Sequence, residues 1–236
     1  SPLLEQPALR ELPDRGACRR MLGLPEGAEV LALLPGSRRA EVGKLLPPLL
    51  DAADRLAIRR PGLRVVVPIA PTLDRAFVQS LAEGRTCRPL LVTGRSLEAM
   101  GAADAVALCS GTATLEAALL GRPMVVVYKA HPASILIARL LAKVRYFSIV
   151  NLLAGRPIVP ELLQEEVTGE AIEEELAPLL DDTPARREML GSLAELRDLL
   201  GSRDASDTAA REILQAAGLS PTSEPSPGLL RQAGAL

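Results

Sequence analysis

Five short apolar runs, set apart by amphipathic stretches, limit what this chain can fold into more than any other feature. They lie at 29–34 (EVLALL), 63–69 (LRVVVPI), 89–92 (PLLV), 104–109 (DAVALC) and 123–128 (PMVVVY). Helix-like segments separate or follow them: 47–60, opened by Pro47-Pro48, then 72–83, 95–102, 112–121 and 132–143. Strands that are apolar throughout are buried on both faces, and their alternation with helices signals βαβ units. The expected fold is therefore α/β, a Rossmann-like parallel sheet with helices on both faces. From Pro160 onward the pattern reads as helical, over 160–166, 168–180, 184–201 and 204–217. The last two segments are charged, as helices packed on an outer surface or on a neighbouring domain would be. Residues 218–236 are rich in Pro, Ser and Gly and read as a disordered tail.

Composition narrows the function. Hydrophobic residues make up 48% of the 236 positions but aromatics only 2%, so the core has to be built from Leu, Val and Ala. A formal net charge of −2 gives no electrostatic footprint for nucleic acid. Cys18, Cys87 and Cys109 are odd in number and widely spaced, which favours reduced thiols in a cytosolic protein over disulfides or a structural zinc. His131 is the single histidine, which excludes a His-pair metal site. No apolar run reaches the ~18 residues of a transmembrane helix. The opening SPLLEQPALRELPDRG has charges and prolines where a signal peptide needs an apolar core. It lacks an initiator Met, so the chain is expected to be part of a longer protein.

Two strand-to-helix turns carry the chemistry. After 29–34 comes Pro35-Gly36-Ser37-Arg38, followed by Arg39 and Glu41. Glycine permits a sharp turn and a close approach to ligand, and a guanidinium grips phosphate with two hydrogen bonds. The same residues also make an ordinary turn with a solvated arginine. No GxxxxGK[ST] occurs, and no GxGxxG follows the first strand, which excludes a P-loop and weakens a dinucleotide reading. After 104–109 comes Ser110-Gly111-Thr112, small residues that leave helix N-terminal N–H groups open to an anion such as a diphosphate. Glu116 stands one turn further on the same face, where it suits a ribose diol. A capped helix with a solvent-facing Glu is the alternative.

Asn151 and Gln164 border apolar segments, so each marks a satisfied core bond or a ligand contact. Residues 133–147 are apolar but interrupted by Arg139, Lys143 and Arg145. That pattern fits a basic amphipathic helix on an anionic membrane surface or a core helix with a wet edge. No D-x-D triplet occurs, so a bound diphosphate would be met by Arg and a helix N-terminus and not by a carboxylate-held Mg²⁺.

Taken together, LLPGSRRAEV, CSGTATLEAALLGRPMVVVYK and NLLAGRPIVPELLQEE closely resemble the lipid-A-disaccharide synthases, over roughly Pro2 to Gly218. The resemblance implies one half of a two-domain GT-B fold and an inverting transfer without metal or cofactor. The implied reaction joins UDP-2,3-diacylglucosamine to 2,3-diacylglucosamine 1-phosphate and releases UDP. It implies that Gly36, Ser37 and Arg38 meet the diphosphate together with Ser110, Gly111 and Thr112. Arg38 would stabilise the leaving group, Glu116 would take the ribose, Asn151 and Gln164 would line the donor site, and Met100 would lie near the uracil. The family's N-terminal domain, with the acceptor site and general base, is not expected within this chain. The implied setting is the cytoplasmic face of the inner membrane, peripherally bound, with a homodimer possible. Other UDP-sugar enzymes of this architecture, an epimerase or a peptidoglycan N-acetylglucosaminyltransferase, and a non-catalytic nucleotide-binding module are the alternatives. The expected organisation is a linker and opening helix over 1–24, the UDP-sugar-binding domain over 25–183, helices over 184–217 packing on the absent domain or a partner subunit, and the tail.

Overall fold

The computed structural model describes residues 13–129 and 146–201. Each of the five apolar runs contains a strand: β1 (Val30–Leu34), β2 (Arg64–Ile69), β3 (Leu90–Thr93), β4 (Ala105–Cys109) and β5 (Met124–Tyr128). β1 and β2 are buried almost throughout, the signature of a sheet covered on both faces. All pairings are parallel, in the order β3-β2-β1-β4-β5-β6. Strand direction is thus uniform, but the order reverses at β1. β2 lies on one side of it and β4 on the other, and a crevice opens between the two at their carboxyl ends.

The helices depart from expectation where proline and short range mislead. α1 (Arg15–Met21) is capped by Asp14, whose carboxylate accepts from the Ala17 N–H. α2 runs from Arg39 to Arg59, beginning two turns before the start that Pro47-Pro48 suggested. The missing proline N–H groups would have bonded the carbonyls of Gly43 and Lys44. Both residues are exposed, so water replaces the lost donors. α3 (Arg75–Ala82), α4 (Ser96–Ala102) and α5 (Thr112–Leu119) fall as expected. The segment 160–166, expected to be helical, instead forms a sixth strand, β6 (Glu161–Leu163), and a single 3₁₀ turn (Gln164–Glu166). Its register against β5, Val126 to Glu161 and Tyr128 to Leu163, supplies a ladder that local pattern at three residues cannot announce. A short helix, α6 (Ile149–Ala154), precedes it. The helices expected at 132–143 and 204–217 lie outside the described residues.

α7 (Gly169–Leu180) lies across α2, and Gly169 makes that approach possible: a Cβ there would stand 2.6 Å from the Asp51 Cβ. The inner face of α8 (Pro184–Gly201) buries Met189, Leu193 and Leu196 in the core of the same sheet. α1 belongs to this body as well. Arg19 bonds the Ala102 carbonyl and, with Arg15, the Asp104 carboxylate, which also accepts from the Val30 N–H.

Candidate functional site

The two turns picked out in the sequence are the loops that leave β1 and β4, so strand order alone brings them to the two sides of the crevice. Together with the ends of β2 and β3 they enclose a cleft of about 480 Å³. On the β1 side, Gly36 takes φ +112°, and a Cβ there would meet Glu41 Oε2 at 2.8 Å. The dihedral demands glycine, and the glutamate would have to move to admit a Cβ. Arg38 occupies the N-cap position of α2 but makes no cap bond. Its Nη1 donates to Glu41 Oε1 at 2.8 Å, with the arginine side chain 80% exposed and the glutamate 28%. The next guanidinium, Arg39, is diverted over the Phe77 ring at 3.8 Å. Arg38 is the one cation among the described residues that line the cleft.

On the β4 side, the Ser110 N–H bonds the Val127 carbonyl, and Ser110 Oγ donates to the Phe147 carbonyl at 2.7 Å. The Thr114 N–H and hydroxyl both turn back to the Gly111 carbonyl. The N–H groups of Gly111, Thr112 and Ala113 are left at the start of α5 without an acceptor among the described residues. Glu116 lines the same wall and has no hydrogen bond or ion pair among those residues, while burial raises its carboxyl above its ordinary value. Burial also raises the Cys109 thiol to about 11.

Seven of the ten residues singled out from the sequence therefore share one cleft: Gly36, Ser37, Arg38, Ser110, Gly111, Thr112 and Glu116. Three do not line it. Met100 is fully buried inside α4, and its carbonyl accepts from Arg122. Asn151 is 1% exposed and spends its amide internally: Nδ2 donates to the Val159 carbonyl and to Glu161, and Oδ1 accepts the N–H groups of Ile158 and Val159. Of the two roles open to Asn151, the geometry realises the satisfied core bond. Gln164 follows β6 with a left-handed φ of +53°, a conformation costly for any residue with a Cβ.

Sequence reasoning gave no role to Pro68, Ala70, Gly94 and Ser96, which close the cleft on the β2 and β3 side, nor to Glu41. Their signal was positional: Pro68 lies one residue before the end of β2, Ala70, Gly94 and Ser96 follow the carboxyl ends of β2 and β3, and Glu41 lies in the first turn of the helix after β1. Glu161 was missed too: its carboxylate accepts from the Phe147 N–H, the Ser148 N–H, Ser148 Oγ and Asn151, and so holds the loop whose carbonyl receives Ser110. A larger and shallower depression of about 840 Å³ lies along the outer edge of β3. Its Arg75 and Arg85 are committed to Leu91 and Thr93 and to Asp51 and Asp54, and it is remote from the crevice.

A parallel sheet in this order, with two loops facing each other across its switch point, is a Rossmann-like domain of the kind that forms one half of the GT-B glycosyltransferases. Two solved structures share the fold. The lipopolysaccharide-biosynthesis glycosyltransferase WaaG superposes with a TM-score of 0.57 at 19% identity, over 88% of this chain and 54% of its own. A Staphylococcus aureus MnaA–UDP structure superposes at 0.56 and 16% identity, over 89% of this chain and 50% of its own. The chain belongs to the lipid-A-disaccharide synthetase family, whose model matches residues 2–213. It is 49% identical over 216 residues to lipid-A-disaccharide synthase of Myxococcus xanthus, covering 91% of this chain and 56% of that protein. The enzyme of Pseudomonas syringae is 47% identical over 206 residues, 87% of this chain and 53% of its own length. The chain thus spans about half the length of these relatives.

Proposed function

We propose that this chain is the donor-binding half of an inverting glycosyltransferase that transfers 2,3-diacylglucosamine from its UDP derivative to 2,3-diacylglucosamine 1-phosphate. The observation that carries the reading is the convergence of Arg38 and the open N–H groups of Gly111, Thr112 and Ala113 on the β1/β4 crevice. An anion seated there is met by a guanidinium and a helix N-terminus. The diphosphate of a UDP-sugar lies between the Gly36–Arg38 and Ser110–Thr112 turns, and Glu116 accepts the ribose hydroxyls. Glu116 suits that role because it is half-buried and has no protein partner among the described residues.

As the bond between the anomeric carbon and the diphosphate breaks, negative charge grows on the leaving UDP. Arg38 and the α5 N-terminus stabilise that charge, and because it is largest in the transition state their contribution appears in rate as well as binding. The attacking hydroxyl and the group that takes its proton come from outside the described residues. The segment 133–147, most of which lies outside the described residues, is proposed to meet the cytoplasmic face of the inner membrane. Support for the acylated substrates comes from the family relationship and not from the cleft.

The test is calorimetric titration of UDP into the 236-residue chain with EDTA present. Saturable binding that weakens in both Arg38→Ala and Glu116→Ala is the expected result. Binding unaffected by either change would remove the cleft from the mechanism. In the full-length enzyme, Arg38→Ala should lower kcat by about 10²–10³, the usual cost of one charge-matched donor.

A further inference from the structure

Glu41 stands in the cleft with no part in the proposed chemistry. It lies in the first turn of α2, where the helix N-terminus favours a carboxylate even when no ligand is bound. One of its oxygens holds Arg38 at 2.8 Å. The other rests against the Gly36 turn so closely that a Cβ on Gly36 would be 2.8 Å away. Its two oxygens therefore occupy the neighbourhood that the oxygens of an incoming diphosphate need, between the turn and the guanidinium. The charge is felt across the cleft: the Cys109 thiol, raised first by burial, is raised further by Glu41 and lowered by Arg38.

We propose that Glu41 is a built-in competing anion, from which Arg38 must be drawn away when the diphosphate binds and to which it returns when UDP leaves. This rests on the nucleotide reading of the cleft. Glu41 sets the affinity for the diphosphate from the inside. Part of the attraction of Arg38 for the ligand is offset by the pair it breaks, and the remaining carboxylate repels the bound anion. Arg38 is largely exposed, so the pair is screened and the effect is moderate. Product release gains from it, because an arginine with a waiting partner gives up UDP more readily than an unpaired one.

The test is titration of UDP and, separately, of uridine into the wild-type chain and into Glu41→Gln. The expected result is a UDP Kd about 3–10-fold tighter in Glu41→Gln, with uridine affinity unchanged, since only the diphosphate competes with the carboxylate. Glu41→Ala should move UDP in the same direction, which separates loss of charge from any new amide bond. UDP affinity that is unchanged or weaker in both variants would overturn the proposal, as would equal tightening for uridine. A wild-type chain that binds no UDP would overturn the nucleotide reading and this inference with it. Tight wild-type binding that is indifferent to position 41 would overturn the inference alone.

Discussion

Asn151→Ala separates a structural asparagine from a ligand-binding one. The amide joins α6 to the strand that follows, and truncation strands three buried backbone groups at once: the N–H groups of Ile158 and Val159 and the Val159 carbonyl. Glu161 loses one donor but keeps the Phe147 and Ser148 groups. Each buried polar group left unpaired costs about 1–3 kcal/mol, and water entering the vacated space recovers part of it, so the net loss should be about 3–5 kcal/mol. For a chain of this size each kcal/mol moves Tm by about 2–4 °C, which places the expected fall at about 6–20 °C. Thermal melts of the variant and the wild type measure it. UDP titration well below both midpoints should show nearly unchanged affinity. A Tm within about 2 °C of wild type, accompanied by lost UDP binding, would refute the structural assignment and return Asn151 to the donor site. Asn151→Asp adds a pH signature. The new carboxyl would face Glu161 Oε1, now 2.7 Å from the amide nitrogen, and that like charge raises its folded-state pKa. A raised carboxyl favours the fold while protonated, so this variant should lie nearest wild type at low pH and fall away as pH rises through the raised value.

Glu116→Gln removes an ionisation that folding disfavours. Burial raises the native carboxyl above 4.5, so wild type loses stability as pH rises through the raised value. Melts should find the variant more stable than wild type at pH 7, with the gap closing below about pH 4.5, while its affinity for UDP falls; equal Tm differences at both pH values would refute this. Gly169→Ala drives a Cβ into Asp51 and to 3.2 Å from the Ala52 nitrogen, where backbone cannot yield, and should cost about 1–3 kcal/mol in a urea melt without weakening UDP binding. The thiols of Cys87 and Cys109 are pushed to about 12 and about 11, chiefly by burial. At pH 8 only about 10⁻³ of a thiol with a pKa near 11 is thiolate, so iodoacetamide should label the native chain at least tenfold more slowly than the urea-unfolded chain, and equal rates would contradict the burial.

Five of the six strands were legible because their signal is local: a short run of four to six mostly apolar residues between amphipathic segments reads as a strand wherever it lies. The two glycine turns that line the cleft were legible for the same reason. Gly36 and Gly111 stand directly after such runs, where a parallel strand must hand over to a helix. What misled were residues whose role depends on distant partners. Pro47 and Pro48 looked like a helix start, yet the carbonyls they free lie on an exposed face. β6 is three residues long, and only pairing with β5 makes it a strand. Met100 and Asn151 sit near site-forming segments in sequence, but their side chains turn into the core.

The sequence by itself determined the α/β class, the parallel sheet, the family and the two strand-to-helix turns at Gly36 and Gly111, because each is written in contiguous residues. Only the tertiary structure decided which of the chosen polar residues meet. The strand order placed the loops after β1 and β4 on either side of one crevice, although Arg38 and Ser110 are separated by three βα units of chain. It also turned Glu116 toward that crevice and closed the Asn151 amide inside its own hydrogen bonds. The placement of Glu41 against both Gly36 and Arg38 is likewise a three-dimensional fact. Hydrophobic periodicity records which face of an element is buried, whereas hydrogen-bond partners and charge pairs across elements exist only once the sheet has assembled.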